Sequence, residues 1–166
     1  MDVILFLIFA IIAVVSGVNV VVQTHPISSA LSLIGVMGSL AVLYLLLGAE
    51  FIAMAQIIVY AGAVMVLFIF VIMLLNAGAE SKRGRSLVAQ LLGFPLLIAF
   101  LALTSYFVQR LYSNGAVVHF GGFQGGTAQN IGRALFTQYL LPFEVTSILI
   151  LIGIVGAIVL ARKELD

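Results

Sequence analysis

The third apolar stretch of the chain, which is also its longest, reads FIAMAQIIVYAGAVMVLFIFVIMLL over residues 51–75. Gln56 is its only strongly polar side chain. A helix rises about 1.5 Å per residue and the bilayer core is about 30 Å thick, so about 20 such residues cross it. The stretch lacks the polar–apolar alternation of a transmembrane β-strand. It therefore predicts a membrane-spanning helix.

Four further stretches have the same character, at residues 3–22, 27–47, 87–108 and 143–161. Of all 166 residues 64% are hydrophobic and 8% are charged, whereas a soluble domain carries about 25% charged residues. The expected fold is all-α and integral to the membrane, with five transmembrane helices in a single domain over residues 1–166. The first stretch predicts a retained helix, because it has neither the basic start nor the cleavage site of a signal peptide.

Lysine and arginine determine the predicted orientation, because they concentrate in loops on the cytoplasmic side. Lys82, Arg83 and Arg85 follow the third stretch, and Arg162 and Lys163 follow the last. We therefore expect a cytoplasmic C-terminus, and five spans then place the N-terminus outside.

Residues 109–142 form the predicted outer loop. The first part of this loop is rich in glycine and is expected to be irregular, and a phosphate-binding role is weak because no Lys-Ser/Thr pair follows the glycines. Thr127 is suited to cap a short helix over residues 128–139, on which Ile131, Leu135 and Tyr139 share one face. We expect this helix to lie in the membrane interface or against a neighbour.

Polar groups inside the third stretch are functional candidates, because lipid cannot satisfy them. Gln56 and Tyr60 are four residues apart and share a helix face, where either could hold a water wire. Gly62, near the midplane, would permit a π-bulge, a winding often found at functional sites. The alternative for residues 61–63 is close helix packing through small side chains.

Two glutamates lie near helix starts. Glu50 begins the third span, where it is either a boundary carboxylate solvated by headgroup water or a protonatable group on a proton path. Glu144 enters the fifth span, where the helix dipole favours a carboxylate. A metal site is not expected, because the chain has no cysteine and His25 and His119 lie far apart with no carboxylate at ligand spacing.

Small and amide side chains predict helix contacts. Gly35 with Ser39, and Gly153 with Ala157, are spaced as small residues are where helices pack closely. Asn19 is expected to hydrogen-bond at such a contact. The net charge of +1 leaves no basic face for nucleic acid.

The run IVYAGAVMVLF over residues 58–68 resembles the third span of a known family. That family is the J subunit of NADH:quinone oxidoreductase, respiratory complex I, which is chain 6 in mitochondria. The Asn-Val and His-Pro pairs within residues 19–26, and the run PFEVTS over residues 142–147, are similar to the same family.

The resemblance implies a membrane-arm subunit, without a catalytic centre of its own, of a proton-translocating enzyme that reduces quinone. It implies that NADH, FMN, iron–sulfur clusters and quinone are bound by other subunits and that this chain holds no cofactor. It implies an obligate hetero-oligomer whose partners are lipid and the A, H, K and N types of membrane subunit, without nucleic acid. The membrane would be the bacterial inner membrane or an organelle inner membrane.

In that family the third helix can hold a π-bulge near its tyrosine and glycine, and its rotation is tied to opening a hydrated proton path. By resemblance, Tyr60 and Gly62 match this motif, and Glu50 matches an acidic residue common at the start of the helix. Gln56 stands where some members have glutamate, and its amide cannot titrate. The candidates for a proton path or for coupling are Glu50, Gln56, Tyr60, Gly62 and Glu144.

Two other function classes stay open, namely a small stand-alone transporter or channel and a purely structural assembly subunit. Transporters often show internal repeats with broken helices in matching halves, and five spans do not divide into equal halves. The polar side chains of Gln56 and Tyr60 within a span count against a purely structural role.

Overall fold

The computed structural model describes residues 1–75, 87–111, 120, 122 and 124–162, and these residues form helices and short connections without a strand. The helices are α1 (Asp2–Val22), α2 (Pro26–Leu46), α3 (Glu50–Leu74), α4 (Leu87–Leu111), α5 (Ala128–Thr137) and α6 (Leu140–Ala161). A short 3₁₀ turn, Gln124–Gly126, precedes α5.

Four of the described helices, α1, α2, α3 and α6, are long and apolar enough to cross a membrane. In α4 the segment Pro95–Leu111 adds a shorter apolar helix. The all-helical membrane fold expected from the sequence is therefore present, whereas five crossings and their orientation stay predictions. Four of the basic residues on which the orientation depends lie outside the described residues: Lys82, Arg83, Arg85 and Lys163.

Proline and glycine set several helix ends. α2 begins at Pro26, a position where the missing N–H of proline is not needed. The turn into α3 passes through Gly48, whose φ of 83° lies in the left-handed region that favours glycine. α6 begins at Leu140, earlier than the expected residue 143, because Pro142 falls within the first turn, which tolerates proline.

The packed core consists of α1, α2 and α3, with α2 in contact with both of the others. An added Cβ on Gly35 of α2 would lie 3.2 Å from Ser16 Oγ of α1, so these two backbones approach closely. The buried side chains are mostly small: Ala30, Ser39, Ala41, Ala53, Gln56 and Met65. Close packing therefore takes the place of a bulky hydrophobic core, as is usual between helices in lipid.

Hydrogen bonds reinforce the contact between α1 and α2. Asn19 Nδ2 donates to Ser32 Oγ at 2.7 Å, as expected for an amide at a helix contact. Ser29 Oγ donates to the Val20 carbonyl oxygen at 2.7 Å. Such bonds between membrane helices contribute about 0.6 kcal/mol each on average and at most ~1.7 kcal/mol. They fix the register of the hairpin in addition to stabilising it.

Candidate functional site

The winding of α3 changes in its middle. Glu50–Ala55 and Met65–Leu74 are α-helical, whereas the nine residues Gln56–Val64 between them are π-helical. π-Helical hydrogen bonds run from residue i to i+5, and such segments are rare and are frequently found at functional sites. The segment contains Gln56, Tyr60 and Gly62, so one irregularity brings together three of the five candidate residues.

The π-helical winding determines which side chains of α3 face α2. Gln56 and Met65 are both buried, and nine positions separate them. In an α-helix, with about 3.6 residues per turn, nine residues make two and a half turns and would place these side chains on opposite faces. In a π-helix, with roughly 4.4 residues per turn, they make two turns. The two side chains therefore share a face because the segment is π-helical.

Gln56 is held against α2 and is only 8% exposed. Its Nε2 lies 2.9 Å from Met37 Sδ and donates a hydrogen bond to that sulfur. A thioether is a weak acceptor, so the contact positions the amide without binding it strongly. Met37 was not singled out in the sequence, because nothing in the local pattern indicates which helix faces Gln56.

Tyr60 lies at the edge of the same face and is about half exposed. It lines a cavity of about 260 Å³ between α2 and α3. The other residues that line this cavity are all apolar: Leu33, Met37, Val64, Met65 and Phe68. The wall of this cavity is wholly apolar, so Tyr60 lines it with its ring and not with its hydroxyl. A water wire through this space stays a prediction.

Gly62 lies where the π-helical backbone leaves little room. An added Cβ would lie 3.3 Å from the carbonyl oxygen of Ile57, five residues earlier in the same helix. Among the described residues no atom of another helix lies within 4 Å of that position. The nearest neighbour of position 62 is therefore the preceding turn of its own helix, and no packing partner for it is present within the described chain.

The two glutamates stand in different surroundings. Glu50 is exposed and is the first residue of α3, about 9 Å along the axis from Gln56. Glu144 is also exposed, but α6 starts at Leu140 and its first turn holds no acidic residue. The expected stabilisation of Glu144 by the helix dipole is therefore wrong, because that effect falls off within the first turn.

Metal-binding residues do not cluster in the described part of the chain, where no group of three His, Asp or Glu side chains could hold an ion. His25 is the exposed N-cap residue of α2, and His119 lies outside the described residues. The site is thus built from an amide, a phenol and a glycine on an irregular membrane helix.

The sequence from residue 16 to residue 160 matches the family model described as NADH-ubiquinone/plastoquinone oxidoreductase chain 6. The chain belongs to this family. The match extends from the end of α1 almost to the end of α6, and so includes the whole π-helical segment.

Curated members of the chain 6 family are similar over nearly the whole chain. NAD(P)H-quinone oxidoreductase chain 6 of Synechocystis sp. is 40% identical, over 96% of this chain and 80% of that protein. The chloroplastic NAD(P)H-quinone oxidoreductase subunit 6 of Marchantia polymorpha is 38% identical, over 91% and 83%. NADH-quinone oxidoreductase subunit J of Rhodobacter capsulatus is 36% identical, over 96% and 81%. The family resemblance of the third span therefore extends to the rest of the chain.

Proposed function

We propose that the chain is a membrane-arm subunit of a proton-translocating NADH:quinone oxidoreductase and that it couples quinone reduction to proton translocation through α3. Its relatives are named as chains or subunits of NAD(P)H-quinone and NADH-quinone oxidoreductases, in bacteria and in plastids. The chain holds no catalytic centre, and NADH, FMN, iron–sulfur clusters and quinone belong to other subunits. The observation that carries the coupling role is the nine-residue π-helical segment that sets the face of α3.

The proposed mechanism is a change of winding in this segment. Conversion to an α-helix would turn the two ends of the segment by roughly half a turn relative to each other. Gln56 and Met65 would then no longer both face α2. The cavity beside Tyr60 lies between the same two helices, so its shape depends on this rotation. Water admitted beside the Tyr60 hydroxyl in one winding and excluded in the other would gate a proton path.

The proposed topology has five crossings, with the N-terminus outside and the C-terminus in the cytoplasm. The start of α3 contacts α5 and the turn before it, and α5 contacts α6. The starts of α3 and α6 therefore lie at the same end of the molecule, which supports a crossing back through α4. Cysteines in place of Thr24 and Gln138 should react with an impermeant maleimide from opposite sides of the membrane, and reaction from one side would contradict this topology.

The proposed partners are the A, H, K and N types of complex I membrane subunit together with lipid, in the bacterial inner membrane or an organelle inner membrane. Large apolar side chains are exposed along α4 and α6, and an obligate hetero-oligomer would cover part of this surface. A purely structural assembly subunit is the competing proposal, and the stand-alone transporter is disfavoured by the relatives' names.

Gly62→Val tests the coupling role. The longer side chain would crowd the Ile57 carbonyl oxygen and disfavour π-helical winding, whereas its apolar character would leave membrane insertion intact. A bias of 1–2 kcal/mol changes the ratio of two windings about 5- to 30-fold. We expect quinone reduction and proton pumping per assembled complex to fall together by a factor of this order, and Gly62→Ala to have a smaller effect.

Gly38→Val is the matched control, since an added Cβ at Gly38 of α2 would meet no heavy atom within 4 Å. It should leave the specific activity unchanged. A purely structural role of Gly62 instead predicts loss of activity in proportion to loss of assembled complex. Full specific activity in assembled Gly62→Val complexes would contradict the coupling role.

A further inference from the structure

We infer that residues 124–139 form a strap that docks through Gly126 on the turn between α2 and α3 and fixes the N-terminal end of α3. Gly126 is buried, and an added Cβ would lie 2.6 Å from Ala49 Cα and would overlap the Gly48 carbonyl oxygen. These neighbours are backbone atoms, which cannot move aside as a flexible side chain can. The contact therefore requires glycine at position 126.

The docking point lies where α3 begins. Ala49 is the N-cap of α3, and its carbonyl oxygen accepts the hydrogen bond from the Ala53 N–H at 2.9 Å. The Ala49 N–H donates to the Tyr44 carbonyl oxygen of α2 at 2.9 Å. The strap thus touches the residue that joins α2 to the first turn of α3. A shift of Gly126 would act directly on the start of that helix.

The strap is anchored to α6 at its other end, and Phe120, four positions before the strap in sequence, makes a second aromatic contact. Phe136 of α5 and Phe143 of α6 meet edge to face, with ring centroids 5.0 Å apart. Phe120, on the approach to the strap, packs on Phe6 of α1 at 5.7 Å. Each such aromatic pair contributes about 0.5–1.5 kcal/mol beyond the burial of its area. The contacts therefore join the starts of α1, α3 and α6.

This placement determines which half of α3 can move, an inference that rests on the proposed change of winding. Only the six residues Glu50–Ala55 separate the docked turn from the π-helical segment. Rotation of this short part would drive Ala49 against Gly126, because the strap packs on the Glu50–Ala55 end of α3. When the winding of the segment changes, Met65–Leu74 therefore rotates while Glu50–Ala55 stays fixed. Gly126 is a positioning residue, because its contact with Ala49 keeps Glu50 in place.

Hydrogen–deuterium exchange of the purified complex tests the docking without reference to activity. Gly126→Ala adds one methyl group at the contact, and Gly126→Val adds more bulk. We expect amides of residues 49–55 and of residues 124–137 to exchange roughly 5- to 30-fold faster in both variants. Gly132→Ala is the matched control, because an added Cβ at Gly132 of α5 meets no heavy atom within 4 Å. Unchanged exchange over residues 49–55 in assembled Gly126→Ala complexes would overturn the inference.

The positioning role has its own measurement in the same samples, namely protons pumped per quinone reduced. We expect Gly126→Ala to lower this ratio at least roughly twofold, because rotation is then shared with the start of α3, while Gly132→Ala keeps the wild-type ratio. An unchanged ratio in the presence of faster exchange over residues 49–55 would overturn the positioning role. The coupling role has a separate test, because full activity of Gly62→Val would contradict it. That outcome would not affect the docking of Gly126, which hydrogen–deuterium exchange tests.

Discussion

The first half of the chain packs against itself, whereas the second half offers its surface outward. Buried side chains are found along α2 and α3, and hydrogen bonds join α1 to α2 although no residue of α1 is buried. No residue of α6 is buried, and its hydroxyl side chains bond to carbonyl oxygens of their own helix, as when Ser147 Oγ donates to Phe143 at 2.9 Å. Contacts within the chain are therefore concentrated in its first half, and the proposed coupling helix lies there.

Lipid offers no hydrophobic driving force between helices, so helices in a membrane pack where small residues let their backbones approach closely. The two halves of the chain differ in whether such residues have a neighbouring helix. α2 has small residues where it meets its neighbours, and Gly35 allows α1 to approach within contact distance of its backbone. On α6 an added Cβ at Gly153 or Gly156 would meet no heavy atom within 4 Å. The small residues of α6 therefore have no counterpart within the described chain, and we expect partner subunits to supply it.

Gly35→Val would break the self-packed half and should have the largest effect on the subunit itself. The valine Cβ would lie 3.2 Å from Ser16 Oγ, and its methyl groups would press further against α1. Overpacking of this kind costs about 1–3 kcal/mol. We expect the amount of subunit in the membrane to fall several-fold, measured by immunoblot at equal expression. A normal amount of subunit would contradict the close contact of α1 with α2.

Gly153→Val changes the exposed surface of α6, where the effect should fall on assembly with other subunits. Within the chain the new side chain meets open space, so the subunit should accumulate normally. If a partner helix packs there, the same overpacking of about 1–3 kcal/mol falls on the interface between subunits. We expect less incorporation into the complex on native gels, with free subunit remaining in the membrane. Complete incorporation would remove Gly153 and Ala157 from the proposed interface.

The two glutamates provide the smallest contrast. Glu50→Gln, at the start of the self-packed α3, should lower coupled turnover modestly, because the carboxylate is exposed and lies near an aqueous edge. Glu144→Gln should do less, since Glu144 lies beyond the first turn of α6 and lacks even the ~0.3–1 kcal/mol of a helix-dipole interaction. Loss of assembly in either variant, scored on native gels, would reveal an ion pair with another subunit.

Much of the fold could be predicted from the sequence because the membrane imposes a simple rule on apolar length. The resemblance of residues 58–68 to a known family identifies Tyr60 and Gly62 as candidates from the sequence alone. The cap of α5 by Thr127, which accepts a hydrogen bond from the Asn130 N–H, was also expected from local pattern. These features depend on residues close in sequence.

Features that depend on distant residues could not be predicted in this way. The burial of Met65 follows from the number of residues per turn across the whole segment, and α-helical periodicity places it on the face opposite Gln56. The contact of Gly126 with Gly48 joins two loops far apart in sequence. Gly48 and Gly126 are both glycines in turns. A glycine in a turn indicates freedom of the backbone, but it does not indicate which residue the glycine will contact.

The irregular winding of α3 also bears on how the protein fits the thickness of its membrane. α3 has 25 residues, whereas α1 and α2 each have 21. As a straight α-helix α3 would extend about 37 Å, well beyond a hydrocarbon core of about 30 Å. A π-helix has more residues per turn and is therefore wider and shorter, so the segment takes up part of the excess length. Conversion of the π-helical segment to an α-helix would lengthen α3. A thicker bilayer should therefore favour the α-helical form of α3.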